Sequence, residues 1–293
     1  MNDVPAIFFE GVVSQFFFKE MLSCGSALSG LPGHVASEAC AKRCRHCMVL
    51  RNGRLEEESY LNCEHQELGI KTPSRKYLHY TEITICAGEE EYSTDPEVTK
   101  RMLSATKGQH VLLSLQTPNI SEEIAKFVDS IRFIFELKLY TKITSDVLKM
   151  MRSLVEKNTL NITSIAKDVE IDDETAQLLV DLLKQKQFNE MFLYGKCSAA
   201  LKEIIANWRE NSEEMVGKMI YCTEEFSELQ FPSTEFSFEE CTEEEERDAK
   251  RAYLFADNWP YITIKSVLRN QNGSAVYCFS APSSHFKSRF VFA

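Results

Sequence analysis

Apolar and polar positions alternate with two different periods along this chain, and the period changes mark its elements. Near the start, Val4, Phe8, Val12 and Phe16 recur at helical spacing. Phe9, Val13 and Phe17 form a second stripe beside them, so residues 4–22 are predicted to form a helix with a wide apolar face. Asp3 is placed to cap it, and Pro5 suits its first turn because the missing N–H has no intrahelical partner there. LSCGSALSGLPG then breaks the pattern with three glycines and a proline.

From about residue 77 strand and helix signals alternate. YLHYTEITI (77–85), HVLLSL (110–115), IRFIFELKLY (131–140), LNITSI (160–165), FNEMFLYG (188–195) and VGKMIYC (216–222) read as strands. Between the later ones lie four helices, TPNISEEIAKFVDSI, SDVLKMMRSLVEKN, DDETAQLLVDLLKQKQ and SAALKEIIANWREN, with Ser121 and the acids at 172–174 placed as N-terminal caps. Strand centres at Leu113, Leu137, Ile162, Phe192 and Ile220 are separated by 24, 25, 30 and 28 residues. One strand and one helix per step is the pattern of a leucine-rich-like solenoid. The alternative, a doubly wound α/β domain, usually carries a glycine-rich phosphate turn after its first strand, and none is present. The expected fold is therefore α/β: an irregular leucine-rich-like βα solenoid behind an N-terminal helical segment. AYLFA (252–256), YITIKSVL (261–268), AVYCFSA (275–281) and FKSRFVF (286–292) add a small C-terminal antiparallel β cap, with Asn272-Gly273 supplying the left-handed conformations of a hairpin turn. The segmentation is 1–50 helical, 51–222 βα repeat, 223–250 acidic loop and 251–293 β-hairpin extension.

Charge changes this picture in one place. The net charge is −11, and EFSFEECTEEEERD (235–248) carries eight acids and one base, hence its assignment as a solvated loop. So acidic a chain disfavours nonspecific contact with nucleic acid or an anionic membrane. No stretch approaches the ~20 apolar residues of a membrane span. The N-terminus lacks the basic start and cleavage site of a signal peptide, so a cytoplasmic or nuclear, non-secreted protein is expected. In that setting the ten cysteines stay reduced and act as small hydrophobes.

The densest candidate chemistry is CAKRCRHC (40–47). Cys40, Cys44 and Cys47 could hold zinc with His46, Cys63 or His65 as a fourth ligand, although structural zinc sites usually come as two separated cysteine pairs. The spacing also matches the iron–sulfur motif of radical enzymes, without that motif's aromatic residue or its glycine-rich contacts. A catalytic thiol beside Arg43 or Arg45 is a third possibility. Spacing of i, i+4 and i+7 favours a fourth: one stripe of a short helix over 34–48, needing no metal. No Gly-x-Ser-x-Gly, phosphate loop or His-Glu-x-x-His occurs, so no catalytic residues and no cofactor are assigned.

The opening D-V-P-x-x-F-F-x-x-V-V, the irregular βα units and the junction W-R-E-N-S-E-E-M-V-G-K (208–218) together resemble the nematode-expanded F-box-associated proteins. That resemblance implies a non-enzymatic adaptor of a cullin ubiquitin ligase. Its N-terminal F-box-like segment would dock on a Skp-type adaptor through Val4, Pro5, Phe8, Phe9, Val12, Val13 and Phe16, and its repeat domain would hold an unknown substrate protein. A stand-alone protein-interaction scaffold is the alternative.

Overall fold

The computed structural model describes residues 8–9, 25–62, 65–69, 73, 77–87, 95–225, 238–253, 263–270, 272–280 and 285–293. It is a mixed α/β structure that divides into two compact units, residues 1–114 and 115–293.

In the first unit, helix α1 (Gly30–Lys42) is followed by strands β1 (Cys44–Arg51), β2 (Arg54–Asn62) and β3 (Leu78–Cys86), helix α2 (Pro96–Thr106) and strand β4 (His110–Gln116), whose last two residues begin the second unit. The strand order is β2-β1-β3-β4. β1 and β2 form an antiparallel hairpin, and β1 runs parallel to β3. This corrects two expectations. The helix proposed for 34–48 ends at Lys42, because Arg43 is already extended (φ −64°, ψ 135°). The residues that follow alternate between inward and outward positions, with Cys44, His46, Met48 and Leu50 buried. The helical segment therefore stops short of residue 50. The β1–β2 hairpin itself was not anticipated; it turns on Asn52 and Gly53, at φ 50° and 79°.

The second unit begins its regular elements with α3 (Glu122–Ser130), β5 (Ile134–Leu139), α4 (Ser145–Glu156), β6 (Leu160–Ile165), α5 (Asp173–Leu183), β7 (Glu190–Leu193), α6 (Ser198–Glu210), the short α7 (Ser212–Met215) and β8 (Met219–Cys222). β5, β6, β7 and β8 are successive parallel neighbours, as the strands centred on Leu137, Ile162, Phe192 and Ile220 were expected to be. Parallel neighbours need a crossover, and each crossover here is helical, one helix in the first two and α6 with the short α7 in the third. The starts are set by side-chain caps: Ser121 accepts from Ile124 N, Thr144 from Val147 N and Asp172 from Thr175 N. Consecutive helices of the series α3 to α6 pack against one another, so they form a row on one side of these strands. Leu137, Thr163, Met191 and Ile220 lie beneath that row and are fully buried. Gly195, after β7, permits a close approach: a Cβ there would lie 2.5 Å from the Lys167 carbonyl oxygen in the preceding turn.

The chain then continues as β9 (Phe238–Glu239), α8 (Glu243–Tyr253), β10 (Thr263–Arg269), β11 (Ala275–Ser280) and β12 (Ser288–Phe292). β12 adds antiparallel to β8, and β11, β10 and β9 follow outward. The C-terminal hairpins thus extend the parallel series edge to edge. The described part of the acidic block, 238–248, is not all loop: it contains β9 and the start of α8. Thr242 and Glu245 close a reciprocal capping box, Glu245 N donating to Thr242 Oγ1 and Glu245 Oε2 accepting from Thr242 N at 2.9 Å. The glutamates of the first turn then lie at the positive end of the helix dipole. Ala252 and Tyr253, expected in a strand, end this helix, and residues 254–256 lie outside the described residues. Among the described residues of the β10–β11 turn only Gly273 has a left-handed backbone (φ 92°); Asn272 instead accepts from Ser274 N and donates to Ser212 Oγ. No described helix is long and apolar enough to cross a membrane.

Candidate functional site

The residues singled out in the sequence do not converge. Cys40 lies on α1, against Val35 and Ala36. Cys44 and Cys47, an odd number of residues apart on β1, face opposite sides. Burial pushes both thiols up to about 11, and the Cys44 Sγ–H points to the Tyr77 carbonyl. Arg45 acts against that rise at Cys47 without reversing it, so the activated thiolate considered above is absent. His46 faces inward with Cys44, stacked on Tyr60 at 4.5 Å and bonded to Glu58 at 2.8 Å. His65 meets Arg45 at 2.7 Å, and Cys63 lies outside the described residues. Among the described residues no three metal-ligating side chains gather. No disulfide joins the described cysteines.

Of the N-terminal residues, Phe8 and Phe9 are helical and the structure separates them. Phe9 packs on Val35 and Ala36, whereas Phe8 is 57% exposed. Val4, Pro5, Val12, Val13 and Phe16 lie outside the described residues.

A site that the sequence did not reveal emerges from strand register in the second unit. Laterally paired residues share a face, so two rows cross the sheet on the side away from α3–α6. One runs Glu136, Ile162, Glu190, Met219 and Val291; the other runs Lys138, Ser164, Phe192, Tyr221 and Arg289. The opposite side is fixed by Trp208 of α6, whose ring meets Phe292 at 6.4 Å. On the side of the two rows, α8 covers only the far end, where Ala249 packs on Phe279 and Val291. Met219 of β8, in the first row, packs against that same cluster.

The centre of this face is aromatic. Phe192 stacks on Tyr221 with centroids 4.6 Å apart and planes 13° from parallel. Phe286 meets both rings, at 5.3 and 5.7 Å, and meets Tyr194 at 4.9 Å. The Arg289 guanidinium lies 4.3 Å over the Tyr221 ring. Beside the aromatics, Glu136 accepts from Ser164 Oγ at 2.6 Å and has Lys138 at 3.6 Å. Glu190 has no such partner: no hydrogen bond or ion pair reaches its half-buried carboxylate among the described residues. Burial raises the Glu190 carboxyl above its ordinary value, Glu136 adds to that, and Arg289 opposes it. Burial also pushes the Tyr221 phenol up to about 12, so it remains a hydrogen-bond donor at neutral pH.

The face therefore combines stacked aromatic rings with a half-buried carboxylate, and Ile162, Ser164 and Tyr221 of its rows are buried. Among the described residues of this face no nucleophile stands beside a general base. No family model matches the chain, and no curated protein or solved structure matches it either.

Proposed function

We propose that this chain is a protein-binding adaptor, built as an irregular leucine-rich-like βα solenoid, that holds a partner protein on the sheet face away from its helix row. The observation that carries this reading is the succession β5–β8. Four parallel strands in sequence order, with their helices in one row, put Phe192, Tyr221 and Glu190 together on the face away from that row. Flat aromatics around a partly desolvated polar group are the usual composition of a protein-interface centre. In the same reading the N-terminal segment docks on a Skp-type adaptor in the cytoplasm or nucleus, and the chain is not an enzyme. The exposure of Phe8, on a helix anchored through Phe9, supports that docking mode.

The test is co-purification with a purified Skp-type adaptor. The unmutated chain should retain it; Phe8→Asp should abolish retention while leaving the far-ultraviolet circular dichroism unchanged. If the unmutated chain retains no such adaptor, the stand-alone scaffold replaces the ubiquitin-ligase reading.

A further inference from the structure

The dipeptide Asn-Gly occurs twice in the sequence, at 52–53 and at 272–273. A glycine after asparagine leaves the peptide nitrogen with no Cβ beside it, so that nitrogen can approach the asparagine side-chain carbonyl carbon. The two pairs have different surroundings. Asn52 and Gly53 are buried, Asn52 has a left-handed backbone (φ 50°), and its amide donates to the Cys86 carbonyl at 3.3 Å. Asn272 and Gly273 are exposed.

The Asn272 side chain is held at both of its ends. Oδ1 accepts from Ser274 N at 3.1 Å, and Nδ2 donates to Ser212 Oγ at 2.7 Å. An N–H can only donate, so the Ser274 amide fixes which end is the oxygen. That amide polarises the side-chain carbonyl and is aimed where an oxyanion forms when a nucleophile adds to the carbon. The Ser212 hydroxyl stands at the nitrogen that would depart and can pass it a proton. Gly273 N itself donates to the Asn270 carbonyl at 3.1 Å, but in an exposed turn, where local opening costs least.

We propose that Asn272 is a site of spontaneous modification, converted through a cyclic imide with Gly273 to aspartate and isoaspartate. In the first step the Gly273 nitrogen loses its proton to water and bonds to Asn272 Cγ. The Cγ–Nδ2 bond breaks, and the nitrogen takes up a proton and leaves as ammonia. Water then opens the ring. Addition at Cγ gives aspartate, and addition at the main-chain carbonyl gives isoaspartate, with the chain running through the side chain. Nothing is oxidised or reduced, and water is the only co-reactant. The product exchanges an amide donor for a carboxylate at the point where the β10–β11 turn is tied to Ser212. Asn270 Nδ2, donating to the Arg209 carbonyl at 2.7 Å, and Ser274 Oγ, 3.1 Å from Ser212 Oγ, hold the same turn to the junction of α6 and α7.

The site stands independently of the adaptor reading. It is tested by incubating the full-length chain in mildly alkaline buffer, digesting it in acid, and following both Asn-Gly peptides by mass spectrometry with chromatographic separation of the isomers. A second sample is kept unfolded in urea, where both pairs should convert alike. In the folded chain position 272 should become an acid, as both isomers, within the time that the unfolded chain takes. Asn52 should convert at least about tenfold more slowly, which corresponds to about 1.4 kcal/mol of barrier. Asn272→Gln should lose the change at 272. An amide that persists at 272 in the folded chain while the unfolded chain converts would overturn the proposal. So would aspartate without isoaspartate, the mark of direct hydrolysis, or equal rates at 52 and 272 in the folded chain.

Discussion

Lys218 shows how a single polar side chain is accommodated in the core of the second unit. It is 5% exposed, and its ammonium donates to the carbonyls of Gln185, Phe188 and Lys186 at 2.7, 2.6 and 3.3 Å. These carbonyls belong to the turn just beyond the last residue of α5, Leu183. One cation satisfies three of them and is favoured by the negative end of the helix dipole. Burial lowers the Lys218 ammonium from its ordinary value, so the contacts are made at the expense of hydration. Lys218→Met keeps the length of the stem and removes every donor. It should cost about 2–3 kcal/mol, read as a lower urea midpoint at an unchanged slope.

Among the elements, α5 makes the most direct claim about pH. Asp172 Oδ1 accepts from Thr175 N at 2.8 Å, and the Thr175 side chain and amide hold the carboxyl below its ordinary value. A depressed folded value means that the carboxylate form stabilises the native state. That contribution is complete above the ordinary aspartate range and is lost as pH falls through the lower folded value. Asp172→Ala should therefore cost about 1 kcal/mol near neutrality, and the difference from the unmutated chain should shrink in acid. This cap was legible in the sequence, as were β5–β8 and α3–α6, because apolar period and cap residues agree there. CAKRCRHC was misread because its cysteines fit a helical stripe by number alone. The competing period of two runs through Cys44, His46, Met48 and Leu50, and His46 disguises it. A histidine is tolerated in that buried row because Glu58 and the Tyr60 ring receive it. Asn52-Gly53 was the available signal, of the same kind as the pair recognised at 272–273. The acidic helix had one too: Thr242 followed three residues later by Glu245. The candidate face was not legible, because Glu190, Phe192, Tyr221 and Arg289 come from three strands. Only register, including an antiparallel return from the C-terminus, sets them side by side.

At the scale of the whole molecule, the second unit depends on the layer between its parallel strands and helix row. Leu137 of β5 and Leu182 of α5 are both completely buried. Leu182→Ala should cost about 2–5 kcal/mol as a cavity substitution, and Leu137→Ala a similar amount, both measured by chemical denaturation. A value below that range at both sites would mean that the layer collapses onto the vacated space. Each unit also ends in an outermost strand, and open strands are templates on which a second chain can grow. The two ends are defended differently. β2 carries Glu56, Glu57 and Glu58 in succession, and Leu61 is already bridged to Glu67. β9 is only two residues long and ends in Glu239, which is tied back to Arg269. Like charges meeting along β2, and too little backbone along β9, deny a neighbouring chain a continuous ladder. The features that end each of these strands therefore also oppose growth of a second copy upon them.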